Sequence, residues 1–226
     1  MKYIFQVFTL LLLISLTACS DEKAPITEGE LVYELDYPDY KDNFFIYGIL
    51  PKEMHFYFKN EESVSAINKI MLKNELYVNN KTKEINVYFK NADDVCYSFL
   101  TKNESSKMNV NYPDFKFEFT NKKDTMCGFD VEKVIVTKPG SSEKIEIWYT
   151  KDIAIDNPNW HTPFAKIPGV MLSYTMTRYG MKTTVKAKKF IAREIKASEL
   201  KPLKKGTKMS FDDYNVKMFN LFKSFE

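Results

Sequence analysis

Chemistry, if this chain performs any, should show first at its two histidines, its cysteines and its adjacent acidic pairs. His161 lies in Asn157-Pro158-Asn159-Trp160-His161-Thr162-Pro163-Phe164, a proline-stiffened loop beside a tryptophan. A loop imidazole at a pocket rim can exchange a proton near neutral pH. No carboxylate or nucleophile stands at motif spacing from it, so a structural, pocket-lining role is the leading reading. His55 sits among aromatic residues in Met54–Lys59 and reads as a sheet residue. Two histidines exclude a multi-histidine metal site, and Cys96 and Cys127 lack the CxxC spacing of a zinc ribbon or thioredoxin-like site. Asp93-Asp94 and Asp212-Asp213 are neighbours in sequence. On a strand such neighbours point to opposite faces, and in a first helical turn they serve as caps. No GxSxG elbow, HExxH pair or glycine-rich phosphate loop is present. The expectation is a protein that is not an enzyme and carries no metal or cofactor.

The N-terminus carries an address. Lys2 precedes an apolar run from Tyr3 to Leu16, followed by Leu16-Thr17-Ala18-Cys19. The run is shorter than the roughly 20 residues a membrane-spanning helix needs, and it has the layout of a secretory signal. Small residues directly before a cysteine resemble the lipobox of bacterial lipoproteins. The resemblance implies cleavage before Cys19 and lipidation of that cysteine with a diacylglyceryl group and an N-acyl chain such as palmitate. One acyl chain binds a membrane marginally, whereas two or more hold stably. Ser20-Asp21-Glu22-Lys23 resembles the acidic tail of surface-exposed lipoproteins of Bacteroidetes. The implied organisation is a signal peptide over 1–18, a lipidated tether over 19–28 and a single β-rich domain over 29–226. The implied location is the cell envelope, anchored to the outer membrane and facing the surface. With Cys19 lipidated, Cys96 and Cys127 remain, which permits one disulfide in an exported protein; two buried thiols are the alternative. Asp124-Thr125-Met126 resembles the short O-glycosylation motif of exported Bacteroidetes proteins, with Thr125 as acceptor.

Composition points to strands. Aromatic residues make up 15% of the chain, with 18 Phe and 14 Tyr against only 7 Gly, and such enrichment favours sheet. The net charge of +3 comes from interspersed lysines and carboxylates, not from a basic stripe of the kind nucleic acid selects. Lys201–Lys208 is locally basic, but it contains Pro202 and Gly206 and no aromatic residue, so it reads as a solvated linker.

The elements that must position these residues follow from periodicity. Leu31, Tyr33, Leu35 and Tyr37 alternate, and Pro38 ends the run. Phe44–Leu50, ended by Pro51, reads as a second strand and Met54–Lys59 as a third. Glu61–Leu72 leans to strand although Val64, Ile67 and Met71 also fit a helical face. Leu76–Val78 and Ile85–Phe89 flank a turn-rich gap suited to a hairpin. Val95–Leu100, Val131–Thr137, Ile145–Thr150, Val170–Tyr179, Thr183–Lys189 and Ile191–Ile195 continue the series, with Asn103–Asn111 as a loop. Phe115, Phe117 and Phe119 alternate with Lys116 and Glu118, as a sheet with one wet face requires. Phe211, Tyr214, Met218, Leu221 and Phe225 recur at helical spacing, with Ser210 as cap. Ile167-Pro168-Gly169-Val170 has the residues of a type II turn, with glycine at the position needing positive φ.

Trp148-Tyr149-Thr150 through Ile167-Pro168-Gly169-Val170-Met171-Leu172, with Met126–Lys133 upstream, resembles the GLPGLI family of Bacteroidetes exported proteins. Ala165-Lys166 stands where that family has Gly-Leu, and its cysteine after the glycine is missing, so the resemblance is to a related branch. At fold level the strand series with a helical end resembles the half-open barrels of LolA- and LppX-like envelope proteins, which cradle lipid. The fold class read from the chain is therefore mainly β (α+β): a large curved antiparallel sheet or half-open barrel with a C-terminal amphipathic helix.

So much aromatic area on one face must be covered by closure, by helices or by a ligand. Phe56, Phe58, Phe115, Phe117, Phe119, Trp148, Trp160, His161 and Met171 are the candidate lining residues. The leading expectation is an envelope lipoprotein that binds a lipid or other apolar ligand. The alternative is a surface interaction or structural protein with a filled core. An apolar cavity of about 300 Å³ or more beneath the Pro168-Gly169 turn would favour the first, and a filled core the second.

Overall fold

The computed structural model describes residues 24–109 and 112–223. The expected signal peptide over 1–18, Cys19 and Phe225 lie outside those residues.

The first half of the sheet is a run of antiparallel neighbours: β1 (Glu28–Asp36), β2 (Glu53–Lys59), β3 (Glu62–Lys69), β4 (Leu72–Asn79), β5 (Glu84–Asn91) and β6 (Asp94–Leu100). The second half is β7 (Lys116–Met126), β8 (Phe129–Thr137), β9 (Lys144–Thr150), β10 (Val170–Arg178) and β11 (Met181–Ile191). The halves join where β1 pairs with β11, and the short β12 (Thr207–Lys208) adds in parallel to β6. The result is one curved sheet in the order β12-β6-β5-β4-β3-β2-β1-β11-β10-β9-β8-β7, mainly β and not closed into a barrel. Among the described residues two α-helices accompany it, α1 (Phe44–Ile49) and α2 (Phe211–Lys223).

Alternation decides which side is inside. Leu31, Tyr33 and Leu35 of β1 are buried on one face, and Leu31 stands opposite Phe56 of β2 and Phe190 of β11. A bulge between Val32 and Tyr33 re-phases the pairing with β11 and adds local bend. The same face carries Ile85, Val87 and Phe89 of β5, on which Phe211, Tyr214 and Met218 of α2 pack. Ser210 caps α2 as read from the sequence: its hydroxyl accepts from the Asp213 N–H at 3.1 Å and donates to the Asp213 carboxylate at 2.6 Å.

On the outer face, the chain leaving β11 straps across β2–β4, burying Ile195 and Leu200 against Val64, Ala66 and Tyr77. Arg193 fastens the strap, bonding Glu30 at 2.8 Å and both oxygens of Glu199, while His55 bonds the other oxygen of Glu30 at 2.7 Å. Ile191–Ile195 is therefore a strap beyond the end of β11, not a further strand.

Two other expectations are corrected. Phe44–Leu50 forms α1: Asn43 Oδ1 accepts from the Ile46 N–H at 3.1 Å, and Leu50 N–H closes the last turn on Ile46. The Pro168-Gly169 segment is not a type II turn, because Gly169 is absent from the positive-φ positions. Glycine is required there for space, since a Cβ would lie 2.1 Å from the Thr150 carbonyl oxygen. Cys127-Gly128 forms a tight turn, with both residues at positive φ (54° and 85°) between the paired Met126 and Phe129, as a two-residue hairpin demands.

Candidate functional site

Half-buried apolar side chains in the middle of the inner face mark the site. Met54, Phe56, Ile67, Leu72, Leu76 and Met176 are neither fully covered nor at an edge. They surround two adjoining hollows, of about 240 Å³ and about 360 Å³. Met54, Ile67, Leu76 and Met176 line both, so the hollows share a wall. Fully burying one such side chain contributes about 1.5–3 kcal/mol, a gain left incomplete across this face.

The smaller hollow lies under the long connection between β9 and β10, lined there by Asn159, His161, Thr162 and Met171. Local hydrogen bonds fold this connection. The Asn159 side chain donates to the carbonyls of Ile167 (2.8 Å) and Gly169 (2.7 Å), and Thr162 N–H bonds the Asn159 carbonyl at 2.8 Å. The connection then reaches across the open side of the sheet. Trp160 Nε1 donates to Asn80 Oδ1 in the β4–β5 turn at 2.8 Å, and Asp156 N–H bonds Glu61 in the β2–β3 turn. It closes one end of the half-barrel. Ile26, just before β1, is stitched to it through Asp152 and Ala154.

The larger hollow extends to the opposite end, between α1, the β10–β11 turn and the C-terminal part of α2. Ile49 of its lining is part-exposed, and Phe44, Phe45, Ile70 and Met71 nearby on α1 and the β3–β4 turn are exposed. Lys69 holds α1 against this turn by bonding the carbonyls of Gly48 (2.8 Å) and Leu50 (2.9 Å).

Three polar side chains interrupt the shared apolar wall: Asn74, Tyr174 and Arg178. Burial raises the Tyr174 phenol to about 12, so it stays a neutral donor at physiological pH. Arg178 leans on the Tyr179 ring at 5.0 Å, lies among the phenols of Tyr112, Tyr179 and Tyr214, and donates to the Met108 sulfur at 3.9 Å. His161 is held neutral, its pKa pushed down to about 3 by burial and by the nearby Arg178 and Lys83. Its Nδ1 is buried without a partner. A neutral imidazole with no carboxylate hydrogen-bonded to it is poorly equipped for acid–base work. Among the described residues no group of three metal-binding side chains exists.

The structure sorts the sequence candidates. Phe56, His161 and Met171 line the smaller hollow. Phe58 does not: it is fully buried in a stack with Phe56 (5.8 Å) and Phe190 (6.4 Å). Phe115 packs on Phe164 at 5.8 Å, and Phe117 joins the cluster around Val136 and Ile147. Phe119 is 49% exposed on β7, the outermost strand, edge-on to Tyr149. Trp148 points to the opposite side of β9 from Ile147 and Tyr149, with the Lys133 ammonium 5.6 Å from its ring. Trp160 is a latch and not part of either lining. Cys96 and Cys127 are free thiols: Cys96 is buried under α2, whereas Cys127 sits in the β7–β8 turn beside a different cluster. Thr125 is exposed on β7 next to that turn. Tyr174, Met176 and Arg178 were missed, although they alternate on a strand the sequence does reveal.

Fold and site together define an open, strongly curved β-sheet with a hollow inner face, capped at one end by a long connection and flanked by a C-terminal helix. No family model and no curated protein sequence matches the chain. Among solved structures it is similar to PNGF-II in two crystal forms, C2 and P21. The TM-score is 0.54 for both, with 15% and 14% identity over 85% of this chain. The chain spans about a third of the length of those proteins, 32% and 33%. At that identity the likeness concerns the fold alone.

Among the described residues no helix is long and apolar enough to cross a membrane.

Proposed function

We propose that this protein is a non-enzymatic lipoprotein of the cell envelope that holds a lipid or similar apolar chain against the inner face of its curved sheet. The observation that carries the reading is the row of half-buried Met54, Phe56, Ile67, Leu76 and Met176 around two joined hollows. The hollow beneath the β9–β10 connection, about 240 Å³, is below the range of about 300–1,000 Å³ typical of small-molecule sites, whereas the larger one at the opposite end, about 360 Å³, falls within it. An acyl chain there would complete the burial that the protein leaves unfinished. The lipobox at Cys19 supports a membrane-anchored setting, where such ligands are at hand, and exposure at the outer surface accords with the acidic Ser20–Lys23 tether.

Two experiments test this. Native mass spectrometry of protein extracted from envelopes should find co-purified lipid, and delipidated protein should take up a fluorescent fatty acid with saturable stoichiometry. No lipid across preparations together with no uptake would sink the reading in favour of a packed surface protein. For the anchor, Cys19→Ala should move the protein to the soluble fraction; unchanged membrane association would refute lipidation.

A further inference from the structure

Arg178 is the one charged residue in the linings of the two hollows; neither contains an aspartate or glutamate. Among the described residues no carboxylate pairs with it, although Arg193, on the outer face, has two. A guanidinium kept away from bulk water without an anion is costly, and a thioether sulfur is a weak acceptor. Asn74 and Tyr174 occupy the same shared wall, and neither side chain hydrogen-bonds to another described residue. These three polar side chains line the wall the two hollows share, and the several donors of Arg178 meet only phenols and a thioether.

We infer that Arg178, with Asn74 and Tyr174, binds the anionic head group of an amphiphile whose apolar chain lies along the inner face. The head group is a carboxylate or phosphate, whose planar or forked oxygens suit the guanidinium. The tail follows Ile67, Leu76 and Met176 into the larger hollow. This inference rests on the lipid-binding reading above and specifies its ligand class.

The test compares four probes on delipidated full-length protein: hexadecanoate, hexadecyl phosphate, hexadecanol and acetate, each displacing a fluorescent fatty acid. One charge-assisted hydrogen bond contributes about 1.5–3 kcal/mol, or roughly 10- to 100-fold in affinity. Both long-chain anions should therefore bind at least about tenfold more tightly than hexadecanol, and acetate should not compete. The order of the two anions identifies the head group. Arg178→Gln should erase the preference, bringing both anions down to the affinity of hexadecanol, and Arg178→Lys should restore part of it. Equal binding of hexadecanol and the anions to the native protein would overturn the inference yet leave the cavity reading standing. So would an anion preference that survives Arg178→Gln in protein with native thermal stability. Binding of none of the long-chain probes would overturn both.

Discussion

Gly169 approaches Thr150 so closely that a Cβ on it would lie 2.1 Å from the Thr150 carbonyl oxygen and 2.8 Å from its carbonyl carbon. The obstacle is backbone at the paired ends of β9 and β10, where Val170 stands opposite Thr150, so it cannot swing aside. Gly169→Ala should cost about 2–3 kcal/mol, the upper part of the overpacking range, measured by urea unfolding. Gly48 provides the opposite case. It lies inside α1 with nothing within 4 Å of its would-be Cβ and no positive φ. Gly48→Ala should leave stability unchanged or raise it by about 0.5–1 kcal/mol.

Asn159 determines whether the connection over the smaller hollow keeps its shape. Its amide is buried and donates to two carbonyls, those of Ile167 and Gly169. Asn159→Ala leaves both acceptors unpaired and should destabilise by about 1–3 kcal/mol. Asn159→Asp should be worse, because it places a carboxylate against two carbonyl oxygens. Thermal unfolding ranks the pair; an Asp variant more stable than the Ala variant would refute this role.

Much of the fold was legible because most strands alternate cleanly, and α2 announces itself through Phe211, Tyr214 and Met218 behind a serine cap. The failures have physical causes. Phe44–Leu50 is a short apolar run, and periodicity alone does not separate helix from strand at that length; Asn43 decides it by capping. The aromatic stripe of β7 looked like cavity wall because alternation reveals a face but not what covers it. Its strand turned out to be the sheet edge. The hollow itself depends on which faces curve together, and that is set by the pairing of β1 with β11, residues more than a hundred positions apart. Arg178 escaped notice because a lone arginine at a strand end usually meets solvent.

The Trp160–Asn80 latch should govern access to the smaller hollow. Trp160→Phe removes the indole donor while keeping most of the ring, so it should cost about 0.5–1.5 kcal/mol in stability. It should also speed release of a bound fluorescent fatty acid. Trp148 remains as the sole tryptophan in this variant. Unaltered release kinetics in Trp160→Phe would show that the connection does not gate the cavity.

Acid should loosen the molecule in two windows. His161 is neutral in the fold, with its pKa lowered from 6.5 to about 3 mainly by burial. The unfolded chain takes up that proton first as the pH falls below 6.5, so stability declines from there towards 3. Burial would raise the Glu30 carboxyl, but hydrogen bonds from His55 and Arg193 outweigh it and hold Glu30 below its ordinary value; Arg193 does the same for Glu199. Their contribution is present above the ordinary value of 4.5 and is lost as the pH falls through the lowered values. Melting temperature against pH should therefore slope in both windows. His161→Phe should flatten the upper window, and Arg193→Gln the lower one.

The two free thiols should differ in reactivity by position. Burial raises both Cys96 and Cys127 above the ordinary thiol value, which depresses the reactive thiolate. Cys127 is only half-buried in a hairpin turn, whereas Cys96 has no solvent exposure beneath α2. A thiol reagent should label Cys127 slowly in the native protein and reach Cys96 only when α2 lifts or the protein unfolds. Because the two residues belong to different clusters, oxidation should not join them within one chain. Mass spectrometry of the non-reduced protein should find both thiols available for alkylation after denaturation. Recovery of a Cys96–Cys127 cross-linked peptide would mean that β6 and the β7–β8 turn meet, which this sheet order does not allow.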